Sequence, residues 1–106
     1  MPLLHGAIER GARLLVPSLV LYEWWSGPRQ PEELSDQEAL FPSESALTFG
    51  PDEAARSARL YGALSGAPGR EVDIAIAAHA LVRDVPLWTL NHTDVADLPG
   101  LRLASP

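Results

Sequence analysis

The chain has 106 residues, 46% hydrophobic and 21% charged, which suits one compact globular domain spanning residues 1–106 and excludes a disordered segment. It contains no cysteine, so disulfide staples, thiolate metal sites and cysteine nucleophiles are excluded, and a reducing cytoplasm is the compatible compartment. The net charge of −6 argues against a non-specific nucleic-acid binder, because neutralising phosphates needs a basic surface. It leaves open an enzyme that grips a short stretch of nucleic acid through a local patch or a metal ion.

All eight basic residues are arginine, a bias that a GC-rich genome explains as simply as any function. No apolar helical run approaches the roughly 20 residues needed to span a bilayer, and no signal-peptide pattern opens the chain. The expectation is therefore a protein with no membrane partner.

In chain order, Leu3 to Arg10 reads as the remainder of a helix stopped by Gly11. "RLLVP" (Arg13 to Pro17) is a short apolar run closed by proline, as in a buried parallel strand. Ser18 then serves as N-cap for "LVLYEWWSG", a helix of about two turns ended by Gly27 and Pro28. "PRQPEELSDQEALFP" reads as a loop with a short helix around Ser35 to Leu40, and "ALTF" (Ala46 to Phe49) as a strand candidate. "GPDEAARSARLYGALSG" is a helix with Pro51 in its first position, Asp52 and Glu53 at the positive end of its dipole, and Gly66 as its stop. After the turn "GAPG" a helix covers residues 71–84, "VPLWTL" (Val85 to Leu90) is a buried strand, and "LRLA" a last short one. Strands alternating with helices imply an α/β domain with a mainly parallel sheet, whose sites lie beyond the carboxyl ends of the strands.

Three places carry candidate chemistry. Asp73 opens "EVDIAIAAHAL", where a carboxylate can be a favourable charge on a helix start, an ion-pair partner or a ligand for a cation. The rest of that helix is apolar on most of its surface, so its start should lie well inside the protein, where an acid needs a partner. Glu23 lies in "LVLYEWW" on one face with Leu19 and Ser26, either solvated or facing a site; Trp24 and Trp25 read as core or partner patch before base-stacking platform. "TLNHTDVADLPGL" (Thr89 to Leu101) places Asn91, His92, Thr93 and Asp94 directly after a strand, as in a ligand-binding or helix-capping turn. His5 and His79 have no zinc spacing, and no phosphate loop, nucleophile elbow or dinucleotide fingerprint is present. Separated carboxylates remain, which suit a hard cation such as Mg²⁺.

Taken together, "LVPSLVLYEWWSG" followed by "REVDIAIAAHALVRDVPLWTLNHTDVADLPGLRL" resembles the PIN-domain ribonucleases, specifically the VapC-like toxins of type II toxin–antitoxin pairs. The resemblance covers about the last 95 residues, while Pro28 to Glu44 carries no motif. It implies a three-layer α/β/α fold and a divalent-metal-dependent endoribonuclease using Mg²⁺ or Mn²⁺, in which acids hold ions that activate water and stabilise phosphate charge. Its partners would be an RNA substrate, a cognate antitoxin and a second copy in a homodimer, in the cytoplasm. Residue by residue, it implies metal-binding and catalytic roles for Glu23, Asp73 and Asp94, with Asn91 and Ser18 lining the site. Apart from the resemblance, Arg70 sits three residues before Asp73 and is placed either to meet a phosphate or an antitoxin acid or simply on the surface.

One departure stands out: such domains begin with a strand ending in Asp followed by Thr or Ser, and "MPLLHGAIERGARLL" supplies none. The expectation is a chain lacking that N-terminal strand and the first family acid. The alternative function is then a catalytically impaired PIN-like interaction protein that binds an antitoxin or itself.

Overall fold

The computed structural model describes residues 7–10, 13–89 and 92–104. It is an α/β arrangement dominated by helix: strands β1 (Ala7–Arg10), β2 (Arg13–Leu15) and β3 (Leu87–Trp88), and helices α1 (Ser18–Ser26), α2 (Pro31–Leu40), α3 (Pro51–Ala63), α4 (Glu71–Arg83) and α5 (His92–Val95). A single 3₁₀ turn covers Ser43–Ser45.

The segment ending at Arg10 was expected to be helical. Its described part is instead a strand, and Leu3 to Gly6 lie outside the described residues. Ala, Glu and Arg in "AIER" are good helix formers, but four residues are too few for that preference to nucleate a helix alone. Pairing on both edges decides otherwise: the sheet order is β2-β1-β3, with β1 in the centre. Ile8 faces Leu15 on one side and Leu87 on the other, and it is fully buried.

The expectation of a mainly parallel sheet with nothing ahead of the "RLL" strand is corrected accordingly. Both pairings of β1 are antiparallel. Only Gly11 and Ala12 separate β1 from β2 in sequence, enough to join antiparallel neighbours and far short of the dozen or so residues a parallel crossover needs. Parallel contacts survive as two isolated bridges, Pro17 with Leu47 and Leu87 with Leu103. The "ALTF" and "LRLA" segments thus contribute one bridge each rather than full strands.

The helices keep their sequence-derived limits more closely. Gly27 closes α1 as expected, although Pro17 rather than Ser18 occupies the cap position. Pro31 starts α2 four residues earlier than expected, because the Gln30 backbone N–H donates to Glu33 Oε1 at 3.0 Å and anchors the first turn. The same device starts α3, where the Gly50 N–H donates to Glu53 Oε1 at 3.0 Å. Asp84 ends α4 in the left-handed region at φ 54°, a conformation Asp tolerates better than most side chains.

Helix α4 is central, as its apolar sequence requires. Ile74, Ile76, Ala77, Ala78 and Ala80 are buried along it, and it packs against α1, α3 and α5. Its start faces α5, next to the segment that follows β3. Among the described residues no helix is long and apolar enough to cross a membrane.

Candidate functional site: the start of helix α4

The turn "GAPG" delivers the chain to α4 with Gly69 at φ 91°, a backbone conformation that favours glycine. Arg70 follows as the N-cap residue of α4, and its side chain crosses to α5. Just beyond the end of α5 it makes a two-pronged ion pair with Asp97, Nη1 to Oδ2 at 3.0 Å and Nη2 to Oδ1 at 2.6 Å. Nη2 also donates to the backbone carbonyl of Asp94 at 2.7 Å. A planar guanidinium fits this fork better than an ammonium would, since it presents paired N–H donors in one plane.

Asp73 lies half-buried in the first turn of α4, as expected from sequence. Its charge and that of Asp94 both act on Arg70. The hydrogen bond to Asp97 is the main reason Arg70 is held above its ordinary pKa; partial burial opposes it, and the charges of Asp97, Asp73 and Asp94 add to it. Asp97 is held below the usual carboxylate range, first by the hydrogen bond from Arg70 and then, against a small burial effect, by the guanidinium charge. The cation at this end of α4 thus belongs to the chain itself, and it contacts Asp97 and the backbone of Asp94.

Glu23 sits on the solvent side of α1, the helix packed on another side of α4, and like Asp73 it holds an interaction with the rest of the protein. Ser18 is exposed at the start of α1 and donates its backbone N–H to the Leu47 carbonyl at 2.9 Å. Asn91 lies outside the described residues. Arg70, expected to meet phosphate or a partner's acid, is engaged with Asp97, a residue the sequence reading passed over. Its only sequence signal is that "TDVAD" places a second acid three residues after Asp94, just beyond the end of α5.

The residues present do not match a divalent-metal site in this arrangement. Among the described residues no group of three or more His, Cys, Asp or Glu that could hold a metal is present, and a guanidinium stands beside the acids of α4 and α5. No catalytic step is derived through a metal on this geometry.

A second polar cluster lies at the other end of α4, and sequence reasoning missed it. Glu53, 6% exposed, accepts a hydrogen bond from Arg83 Nη1 at 2.9 Å as well as from Gly50. Burial pushes the Glu53 carboxyl up, but hydrogen bonds from its own backbone N–H, Arg83 and Gly50 outweigh it and leave the group below its ordinary value. His79 is fully buried beside this pair, with Nδ1 3.4 Å from Arg83 Nη1 and Phe49 packed edge-on at 5.9 Å between ring centroids. Its Nε2 has no hydrogen-bond partner among the described residues. Burial, then the Arg83 charge, pushes the imidazole below its ordinary pKa against the smaller pull of Glu53. The sequence signal was the His79–Arg83 spacing of one helical turn, which aims both side chains along one face of α4.

The tandem tryptophans divide between the two roles considered for them. Trp24 is core, with the Arg29 guanidinium 3.7 Å from its ring centroid. Trp25 is half-exposed and donates its indole N–H to Gln37 Oε1 at 3.1 Å. No protein-family model matches the chain, and no curated protein matches it at a significant level.

Proposed function

We propose that this chain is a PIN-type, VapC-like endoribonuclease that hydrolyses RNA phosphodiester bonds with Mg²⁺ or Mn²⁺ in the cytoplasm and is held in check by a cognate antitoxin. What supports the reading is the ordered set of Glu23, Asp73 and Asp94 in motifs resembling those of the family, with the charges of Asp73 and Asp94 both acting on Arg70. When bound, a divalent ion would supply an activated water and charge neutralisation at the phosphate. The chain's own contribution is to hold Asp73 in the first turn of α4, Asp94 in α5 and Asp97 just beyond it. The exposed hydroxyl of Ser18 and the carboxylate of Glu23 belong to α1, next to α4.

The experiment is cleavage of a structured RNA such as tRNA in Mg²⁺ or Mn²⁺. Asp73→Asn should slow cleavage by at least about a hundredfold. Equal cleavage by parent and variant would remove Asp73 from the site and this reading with it.

A second reading is a catalytically impaired member of the same fold that binds an antitoxin or a second copy of itself. It is favoured by Arg70 being held at the start of α4 by its ion pair with Asp97, and by the exposure of Tyr22, Trp25 and Leu40. Calorimetric titration with Mn²⁺ separates the two, because the second reading requires no divalent-ion binding at millimolar concentration.

A further inference from the structure

We propose that the cleft formed by the end of α1 and by α2 is a binding site for a small aromatic carboxylate, with Arg29 gripping the carboxylate and Trp25 stacking on the ring. The inference does not depend on the nuclease reading and concerns residues other than those at the start of α4.

The cleft measures about 420 Å³, inside the range of roughly 300–1,000 Å³ that small-molecule sites occupy. Trp25, Arg29, Leu34, Glu38 and Ser43 are among the residues that line it. Its cation is fixed and still has donors to offer. Arg29 donates its Nε–H to the Trp24 carbonyl at 3.1 Å, and its guanidinium carbon lies 3.7 Å from the Trp24 ring centroid. The Gly27 backbone packs against it as well, since a Cβ there would stand 3.4 Å from Nη2. The described hydrogen bonds of Arg29 use Nε alone and leave its terminal N–H fork to a ligand. Arg70, Arg83 and Arg102 each meet a carboxylate, and among the described ion pairs Arg29 meets none. A planar fork of paired N–H groups matches the two oxygens of a carboxylate.

The aromatic wall is equally fixed. Trp25 is 50% exposed, yet its indole N–H donates to Gln37 Oε1 at 3.1 Å. Gln37 is fully buried and donates in turn to the Phe41 carbonyl at 3.2 Å. An indole held in this way loses little freedom when a flat ring stacks on it, and the part-exposed Leu34 adds apolar surface.

Glu38 narrows the ligand class. Its carboxylate is held by Ser43, whose hydroxyl donates to Oε1 at 2.7 Å. One arginine sharing a cleft with one fixed acid tolerates a single negative charge and disfavours a polyanion such as RNA or a free phosphate. A monoanion with a flat apolar body uses both the fork and the indole.

The test is isothermal titration calorimetry with benzoate and indole-3-acetate, set beside benzamide, acetate and inorganic phosphate. Variants Arg29→Gln and Leu34→Glu are first checked for a cooperative thermal melt. The parent should bind at least one of the two aromatic acids with a Kd below about 1 mM, and the three comparison compounds at least about tenfold more weakly. Arg29→Gln should weaken binding at least about tenfold, the loss expected for a charge-assisted pair of hydrogen bonds. Leu34→Glu should weaken it about fivefold by placing a second acid in the cleft, and it leaves Arg29 untouched if Arg29→Gln fails to fold. The Trp25 indole N–H resonance, assigned by its loss in Trp25→Phe, should shift with the same Kd. Benzamide binding as tightly as benzoate would overturn the carboxylate grip, and phosphate or acetate doing so would overturn the aromatic preference. No binding of either aromatic acid at about 10 mM, or parent-like binding by both folded variants, would overturn the site itself.

Discussion

Helix α4 carries an arginine–carboxylate pair near each end, and the two pairs share their chemistry while differing in setting. Near its start, Arg70 grips Asp97 in contact with water. Near its end, Arg83 grips Glu53, whose side chain is only 8% exposed and whose other hydrogen bond caps α3. The difference teaches where each pair's worth lies. Burial makes the Glu53–Arg83 pair costly to break, because a carboxylate left alone there has lost its water. Solvent makes the Arg70–Asp97 pair weak as a stabiliser and easy to exchange. The first belongs to the fold, and the second is free to serve a site.

The comparison breaks most visibly at the buried end. Arg83→Met should destabilise the protein by about 3 kcal/mol, the low end for breaking a buried pair because Arg83 itself is partly exposed. Urea unfolding followed by circular dichroism measures this, and a loss no larger than that of Arg70→Gln would erase the distinction.

Acid should then act on the same end. Glu53 has a lowered pKa in the fold, so its contribution is complete above the ordinary carboxylate range and is lost as pH falls through the folded value. His79 is also lowered from 6.5; below that value the unfolded chain takes up a proton that the folded one refuses, and stability falls. Both effects have the same sign, so the melting temperature should fall as pH drops below the ordinary histidine value of 6.5, and more steeply in the acid range where Glu53 takes up its proton. His79→Leu should flatten the upper part of that drop, and an unchanged slope would show that His79 titrates freely.

The smallest effect is expected at the solvent end. Arg70→Gln should shift the denaturation midpoint far less than Arg83→Met, and the shift should vanish in about 1 M NaCl, where exposed charges are screened within roughly 3 Å. The Arg83→Met deficit should persist in the same salt. A salt-insensitive Arg70 effect would mean that this pair is structural after all.

How far the sequence could be read depended on the range of the forces involved. The limits of α1, α3 and α4 follow from local punctuation: Gly27 after one, Pro51 at the start of another, Asp73 in the first turn of the third. Segment β1 was misread because "AIER" has helical preferences that pairing with β2 and β3 overrides. Helix α5 was read as a turn because four residues carry little periodicity. Asp73 and Asp94, whose charges both act on Arg70, were singled out from the sequence, whereas Asp97, which actually grips Arg70, was not.

Sequence by itself determined the α/β character of the chain, the apolar α4 at its centre, the end of α1 and the starts of α3 and α4. Those features arise from steric and hydrogen-bonding preferences within a few residues. Only the tertiary structure decided which arginine meets which acid, since Arg70 and Asp97 lie 27 residues apart and Arg83 and Glu53 lie 30 apart. It also decided which of the two pairs keeps its water. Charge type is written in the residues, but the strength of a charge pair depends on the solvent left around it, and that is fixed only when α3, α4 and α5 pack.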